Sequence, residues 1–170
     1  MRIFPISVFL ILIAIINFGF RSFEINPFDY LNERDLKILK ALGLNLENIP
    51  EQILVIETDN LSEFVNISNA PHFLSAITRD GKIFIQNKNY LLKKFDKTLK
   101  HEVLHVILHA LDLPYFLEEG LVCELTEEWK GRKRSIINVE NTNYTELRTL
   151  WELESYSYSC WIKIKEIFGF

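Results

Sequence analysis

The most informative stretch of this 170-residue sequence is residues 101–125, which read HEVLHVILHALDLPYFLEEGLVCEL. Upstream of it, Asp96 is the predicted N-cap of a helix. Apolar residues then recur at helical spacing: Leu99, Val103, Val106, Ile107 and Ala110. Pro114 suits the first turn of a second helix, which the pattern extends through Glu119 to about Glu128. The stretch therefore predicts two consecutive helices joined by a short loop.

The first of these helices carries a His-Glu-x-x-His motif formed by His101, Glu102 and His105. Residues four apart on a helix lie one above the other, so both imidazoles can bind one metal ion at about 2.0–2.1 Å. Glu102 projects to a neighbouring face, where its carboxylate can reach a water molecule on that ion. Zinc lowers the pKa of such a water to about 7, and a carboxylate can pass its proton to a leaving amine. The motif thus predicts a zinc site with Glu102 as general base.

A catalytic zinc ion needs a third protein ligand and keeps a fourth position open. His109 continues the four-residue series, but it lies about 12 Å along the axis from His101 and cannot share the ion in a regular helix. The metzincin pattern fails because Leu108 and Leu111 stand where it needs Gly and His. A short loop lets the next helix fold back, so a carboxylate from residues 113–122 is the better candidate.

The second helix resembles a stretch of the gluzincin metallopeptidases, the thermolysin-like and aminopeptidase-N-like group, and is most similar to their minimal stand-alone domains. In that family a Pro-x-Trp-Leu-x-Glu-Gly-Leu-Ala stretch follows the first motif. This chain matches it at Pro114, Leu117, Glu119, Gly120 and Leu121. Phe116 replaces the usual Trp, and Val122 replaces the usual small residue. The resemblance covers residues 80–125 and implies that Glu119 is the third zinc ligand and Glu118 a solvent-facing neighbour.

The resemblance also implies two features outside the motifs. Just before the zinc helix, such domains carry an edge strand that pairs with the substrate backbone, and residues 82–87 occupy that place. A later helix supplies a Tyr or His that donates to the oxyanion, which points to Tyr158 or Tyr156 and, more weakly, to Tyr144. Aromatic residues on such a helix also commonly belong to a core, so both interpretations stay open.

The rest of the chain predicts a mixture of helices and strands. The pattern indicates a helix at 31–42, a strand at 53–57, a hairpin partner at 77–78, a strand at 82–86 and a long C-terminal helix at 145–168. This order predicts an α+β class with segregated elements. The resemblance refines it to a zincin-like fold, in which a small mixed sheet with an edge strand precedes the zinc helix.

The N-terminus differs from the rest in composition. Residues 3–20 form an 18-residue run without charge, with Arg2 and Arg21 on either side. A positive end before an apolar run is typical of an export signal, and a bilayer is spanned by about 17–25 residues. Cleavage normally needs small residues at positions −3 and −1, and residues 17–20 supply no such pair. We therefore predict a signal or membrane anchor at residues 1–22, a domain at residues 23–170, and a membrane-anchored or exported, extracytoplasmic location.

Composition narrows the classes of function. The chain has 19 basic and 23 acidic residues and a net charge of −4, so it lacks the basic surplus of a nucleic-acid-binding protein. Its two cysteines, Cys123 and Cys160, are too few for a disulfide framework or a four-thiolate zinc site. They either pair with each other or remain buried free thiols.

Together these patterns predict zinc-dependent hydrolysis of peptide bonds by a metal-activated water, with a peptide or protein as substrate. His101, His105 and Glu119 would bind Zn²⁺, with Glu102 as general base and a tyrosine as oxyanion donor. The alternative is a non-catalytic, zinc-containing, membrane-tethered module for peptide binding or assembly. The intact Glu102 favours the enzyme, because a purely structural zinc site does not need that carboxylate.

Overall fold

A computed structural model describes residues 20–169 of the chain as one mixed sheet and a set of helices. The strands are β1 (Phe20–Ile25), β2 (Ile53–Thr58), β3 (Ala76–Arg79) and β4 (Lys82–Gln86). The helices are α1 (Glu33–Ala41), α2 (Leu61–Ser68), α3 (Lys88–Leu91), α4 (Phe95–Leu108), α5 (Tyr115–Leu125) and α6 (Leu150–Phe168). Single 3-10 turns lie at Pro27–Tyr30, Leu46–Asn48, Leu92–Lys94, His109–Leu111 and Tyr144–Glu146. This composition confirms the predicted α+β class.

The strands lie in the order β1-β2-β4-β3. β2 runs parallel to β4, whereas the β1–β2 and β3–β4 pairs are antiparallel. The prediction that residues 82–87 form the edge strand is therefore wrong, because β2 covers one side of β4 and the hairpin partner β3 covers the other. The edge strand beside α4 is β3, and the chain turns from β3 into β4 through Asp80 and Gly81, both with positive φ.

The hydrophobic core lies between the sheet and α4. Alternate positions of the two central strands point into it, and one stripe of α4 packs against them. The buried residues of this contact are Ile53, Val55, Ile83, Ile85, Leu99, Val103, Leu104 and Ile107. Burying each such side chain contributes about 1.5–3 kcal/mol. This contact fixes the rotation of α4 about its axis, and thereby the direction in which its histidines face.

A glycine allows α6 to lie directly against α5. A Cβ atom added at Gly120 would lie 2.5 Å from the backbone oxygen of Cys160 and 2.3 Å from Cγ1 of Ile164. No side chain fits there without moving backbone, so Gly120 sets the distance between the two helices. The glycine of the predicted motif is thus explained by helix packing.

Several predicted helix ends differ from the structure: α1 spans Glu33–Ala41 rather than residues 31–42, and α5 ends at Leu125 rather than near Glu128. Lys94 occupies the N-cap of α4, so the prediction of Asp96 as N-cap is wrong, and Asp96 lies in the first turn, where its charge still favours the helix dipole. The C-terminal helix begins at Leu150 rather than at residue 145, because Thr149 and Glu152 form a capping box. It ends before Gly169, as predicted.

The first strand overlaps the predicted N-terminal segment. β1 begins at Phe20, and its first three residues pair with the end of β2, from Ile56 to Thr58. The rest of the predicted signal or anchor, residues 1–19, lies outside the described residues. Within residues 20–169, every helix is too short or too polar to cross a lipid bilayer.

Candidate metal centre

Three side chains from α4 and α5 converge on one point. Nε2 of His101 lies 3.3 Å from Nε2 of His105. Oε2 of Glu119 lies 3.2 Å from Nε2 of His105 and 3.7 Å from Nε2 of His101. The structure thus brings the three predicted ligands together. The His101 side chain keeps 18% of its surface exposed, whereas those of His105 and Glu119 keep 10% and 6%.

The connection between the two helices directs the carboxylate toward the imidazoles. After α4 the chain makes a 3-10 turn that contains His109, whose side chain is exposed. Asp112 then adopts a left-handed conformation with φ 48°, and Pro114 occupies the N-cap of α5. This short reversal lets α5 return along α4, and Glu119 then lies one turn inside the new helix, facing His101 and His105.

A hydrogen-bonding carboxylate holds each imidazole through its other nitrogen. Nδ1 of His105 lies 2.6 Å from Oε1 of Glu118, and Nδ1 of His101 lies 3.2 Å from Oε2 of Glu128. Glu118 is buried, so the prediction that it faces solvent is wrong. An Nδ1–H that donates to a carboxylate leaves the Nε2 lone pair available, as in histidines that bind metals.

The third ligand is held in the same way. Ser157 on α6 donates a hydrogen bond of 2.6 Å to Oε1 of Glu119, which leaves Oε2 to face the imidazoles. The Ser157 oxygen also lies 3.0 Å from the Cys123 sulfur, and the indole of Trp129 donates to it at 3.4 Å. Cys123 and Cys160 are both buried free thiols, which is one of the two predicted states.

The charges in this cluster shift the pKa values of its members. Burial lowers the pKa of His105, but hydrogen bonds to Glu118 and Glu119 outweigh burial and raise it to about 9. Burial also lowers the pKa of His101, yet hydrogen bonds to Glu119 and Glu128 hold it well above the ordinary value. Burial raises the pKa of Glu119, but both imidazoles bring it well below its usual range. The three converging atoms therefore favour positive charge between them.

The donor set fits a zinc ion in both chemistry and spacing. Two imidazole nitrogens and one carboxylate oxygen form the ligand set of one class of catalytic zinc site. Ligands about 2.0–2.1 Å from a tetrahedral ion are separated by about 3.3–3.4 Å. The three distances between the donor atoms, 3.2, 3.3 and 3.7 Å, lie close to that value.

The predicted general base lies between α4 and the edge strand. Glu102 is buried, and its Oε2 accepts a hydrogen bond of 2.8 Å from the hydroxyl of Thr78 on β3. The same hydroxyl lies 3.1 Å from the backbone oxygen of Glu102. The carboxylate is therefore fixed on the side of the helix that faces the free edge of the sheet.

The two tyrosines predicted as oxyanion donors both pack against other aromatic rings. The ring of Tyr158 packs edge-on against Trp129 and lies beside Trp161, in a separate aromatic cluster. Tyr156 stacks on Tyr115, with ring centroids 6.2 Å apart. Tyr115 in turn lies parallel to the imidazole of His105, with 6.0 Å between their centroids. The ring of Tyr115 therefore stands between Tyr156 and His105.

Tyr115 borders the metal centre, although the sequence did not single it out. Its ring lies between His105 and Tyr144, whose centroid is 3.7 Å away. Burial raises the pKa of Tyr115 well above the ordinary value, and the charges of Glu119 and Glu102 add to this effect. The Tyr115 side chain thus lies near both carboxylates.

Four contacts of the candidate centre were missed from the sequence: those of Thr78, Glu118, Glu128 and Ser157. Glu118 carried a usable signal, since a histidine that binds a metal usually donates to a carboxylate and Glu118 adjoins the predicted ligand Glu119. Glu124, which could have filled this role, instead binds Arg34 and Trp161.

Comparisons with protein-family models, with curated proteins and with solved structures found no match to this chain. The functional interpretation therefore rests on the two motifs and on the geometry of the metal centre.

Proposed function

We propose that this protein is a zinc-dependent peptidase with a zincin-like domain. The observation that carries the proposal is the convergence of His101, His105 and Glu119, each held from behind by a hydrogen-bonding partner. The same side chains could form an ion-pair cluster, which requires only opposite charges. Their three donor atoms, however, are separated by the distances expected between zinc ligands.

The roles of the chain's own residues follow from their contacts. A zinc ion held by the three ligands would supply Lewis acidity and lower the pKa of water. Glu102 accepts the proton of the attacking water and delivers it to the leaving amine. Thr78 donates to Oε2 of Glu102 and so holds this carboxylate in position. The ring of Tyr115 stacks beside His105, so its phenol is the candidate aromatic donor.

A peptide substrate suits the surface beside the site. Among the described strands, β3 is hydrogen-bonded on one side only, and Thr78 of this strand touches the proposed base. The open side of β3 offers backbone N–H and C=O groups that an extended peptide can pair with. Pairing through the backbone would place a scissile bond next to Glu102 with little selectivity for side chains.

The decisive experiment measures metal content and hydrolysis together. The full chain is purified in detergent, its zinc content is measured, and a broad mixture of peptides is incubated with and without chelator. We expect hydrolysis that the chelator abolishes and that Glu102→Gln abolishes while zinc stays bound. Glu124→Gln is the matched control, since Glu124 is a hydrogen-bonded α5 carboxylate away from the ligands.

The same experiment distinguishes the alternative. A chain that binds zinc but cleaves no peptide would be a membrane-tethered module that binds peptides or assembles with partners. Hydrolysis that survives in Glu102→Gln would contradict the assignment of the base. A membrane-anchored or exported location remains a prediction from residues 3–20.

A further inference from the structure

Three parts of the chain meet at one end of the sheet: the first described residue, Phe20, and the exposed segments that follow β2 and β4. Phe20 pairs with Thr58, and Thr58 pairs with Gln86, so the start of β1 and the ends of β2 and β4 lie side by side. We call this the Phe20 end of the sheet. The chain continues from Thr58 into the start of α2 and from Gln86 into α3 and the 3-10 turn at Leu92–Lys94.

Large apolar side chains at this end face solvent. Leu92 and Tyr90 are each 68% exposed, Phe20 is 44% exposed and Leu61 is 38% exposed. Phe20 begins β1, Leu61 follows the end of β2, and Tyr90 and Leu92 follow the end of β4. A contact from Glu57 of β2 to the backbone N–H of Lys88, at 2.7 Å, holds the α3 segment beside the sheet.

The backbone at Leu92 is strained in a way that keeps its side chain exposed. Leu92 has φ 51° and ψ −125°, a conformation that favours glycine. Its neighbour Leu91 is buried, so the unusual backbone separates one leucine in the core from one in solvent. Such strain costs of order 1–3 kcal/mol and is commonly found at functional positions.

Charged residues of both signs lie near these apolar side chains. Lys93 and Lys94 are exposed beside Leu92. The acids Glu57 and Glu63 accept hydrogen bonds from backbone N–H groups. Asp59 is exposed in the same region. Lys93 and Lys94 follow Leu92 directly in the chain, so two exposed cations adjoin the exposed leucine.

We propose that the Phe20 end of the sheet rests on the surface of a lipid bilayer that contains anionic lipids. Residues 3–19 carry no charge and directly precede β1, so a membrane-embedded segment at these positions would hold Phe20 at the headgroup level. The inference rests on the predicted anchor, and it adds that the folded domain itself contacts the membrane with a defined face.

The chemistry of the patch matches the membrane interface better than a protein groove. Tyr90 has an amphipathic ring of the kind enriched at the headgroup level, and Leu92 supplies an aliphatic side chain. Lys93 and Lys94 complement anionic headgroups. This contact would fix which side of the domain faces away from the membrane.

A fluorescent label at residue 92 tests the contact. Leu92→Cys in the full chain is labelled with an environment-sensitive dye, since Cys123 and Cys160 are buried, and the protein is reconstituted into phosphatidylcholine–phosphatidylglycerol vesicles. Lys82→Cys is the control. Lys82 is exposed at the opposite end of β4, roughly 13 Å from Gln86 at 3.3 Å per residue. Ile136→Cys is matched to Leu92 in exposure, at 69%.

We expect the dye at residue 92 to shift to shorter wavelength and to lose intensity when brominated lipids are used. The dyes at residues 82 and 136 should keep the emission seen in water. Three results would overturn the proposal: a solvent-like dye at residue 92, a blue shift without quenching by brominated lipid, or a chain that fails to float with vesicles. A blue shift without quenching would identify a second copy or another part of the chain as the occupant.

A charge reversal tests the role of the anionic lipid. Lys93→Glu combined with Lys94→Glu should reduce quenching at residue 92 to the level seen in vesicles of phosphatidylcholine alone. Lys37→Glu with Lys40→Glu is the matched control, since both residues are exposed lysines on α1. Equal quenching in the two double variants would contradict the contact with anionic lipid. These readouts require neither zinc nor hydrolysis, so they stand or fall apart from the proposed peptidase activity.

Discussion

The two sides of the metal centre come from very different lengths of chain. The α4–α5 side, residues 101–119, supplies His101, His105, Glu118 and Glu119 from one continuous stretch. The downstream side supplies Glu128, Tyr144 and Ser157 from residues 128–157. Glu128 follows α5 directly in the chain and Tyr144 stacks on Tyr115, whereas Ser157 reaches Glu119 because α6 packs on α5. Local spacing therefore determines which atoms can bind a metal, whereas tertiary packing determines how firmly they are held.

Removal of the metal should have the largest effect, because the ion would link α4 to α5. With zinc at about 1,000 times its Kd, binding to the native state alone stabilises it by about 4 kcal/mol. For a domain of this size, that corresponds to a fall in Tm of roughly 10 °C on chelation. The change in Tm is measured by thermal unfolding of the full chain with chelator, without chelator, and after zinc is added back. An unchanged Tm would contradict a resident metal.

Gly120→Ala should push α6, which carries Ser157 of the downstream side, away from α5. The added methyl would meet the backbone oxygen of Cys160 at 2.5 Å, so α6 must move away from α5. Such overpacking costs typically about 1–3 kcal/mol, and it should also weaken zinc binding because Ser157 moves with α6. The control is Gly43→Ala, where no atom lies within 4 Å and only the left-handed backbone is affected. Equal zinc affinity in the two variants would show that the downstream side is dispensable.

Much of the α4–α5 side could be predicted from the sequence, and little of the downstream side could. The His101–His105 spacing and the Glu119 motif are local patterns that a helix converts directly into geometry. The edge strand was misassigned because β3 precedes β4 in the chain yet lies outside it in the sheet, which no local pattern records. Ser157 was passed over between two tyrosines, since its role depends on the rotation of α6 on α5.

Glu118→Gln and Ser157→Ala compare one hydrogen-bonding partner from each side: Glu118 holds His105, and Ser157 holds Glu119. Loss of the Glu118 charge should weaken zinc binding by about 10–100-fold, as is typical when a group that orients a ligand is changed. Loss of the Ser157 hydroxyl removes one hydrogen bond to a carboxylate and should cost roughly tenfold. Competition with a zinc chelator of known affinity gives both values. A larger effect for Ser157→Ala would reverse the ranking of the two sides.

Tyr144→Ala should have the smallest effect. Tyr144 is 43% exposed and stacks on Tyr115, so its loss should cost about 0.5–1.5 kcal/mol of stability and leave zinc affinity unchanged. Urea unfolding measures the first quantity and chelator competition the second. The exposed Trp151 offers a control, since Trp151→Ala removes an aromatic ring from the same half of the molecule. A fall in zinc affinity in Tyr144→Ala would mean that the aromatic stack orients His105.

The most direct test of the central claim is zinc stoichiometry in two histidine variants of the full chain. His105 lies at the point of convergence, whereas His109, one turn further along, is exposed. We predict one zinc ion per chain in the natural protein and in His109→Ala, and none in His105→Ala. Equal zinc content in both variants, or no zinc in the natural protein, would contradict a metal centre built from His101, His105 and Glu119.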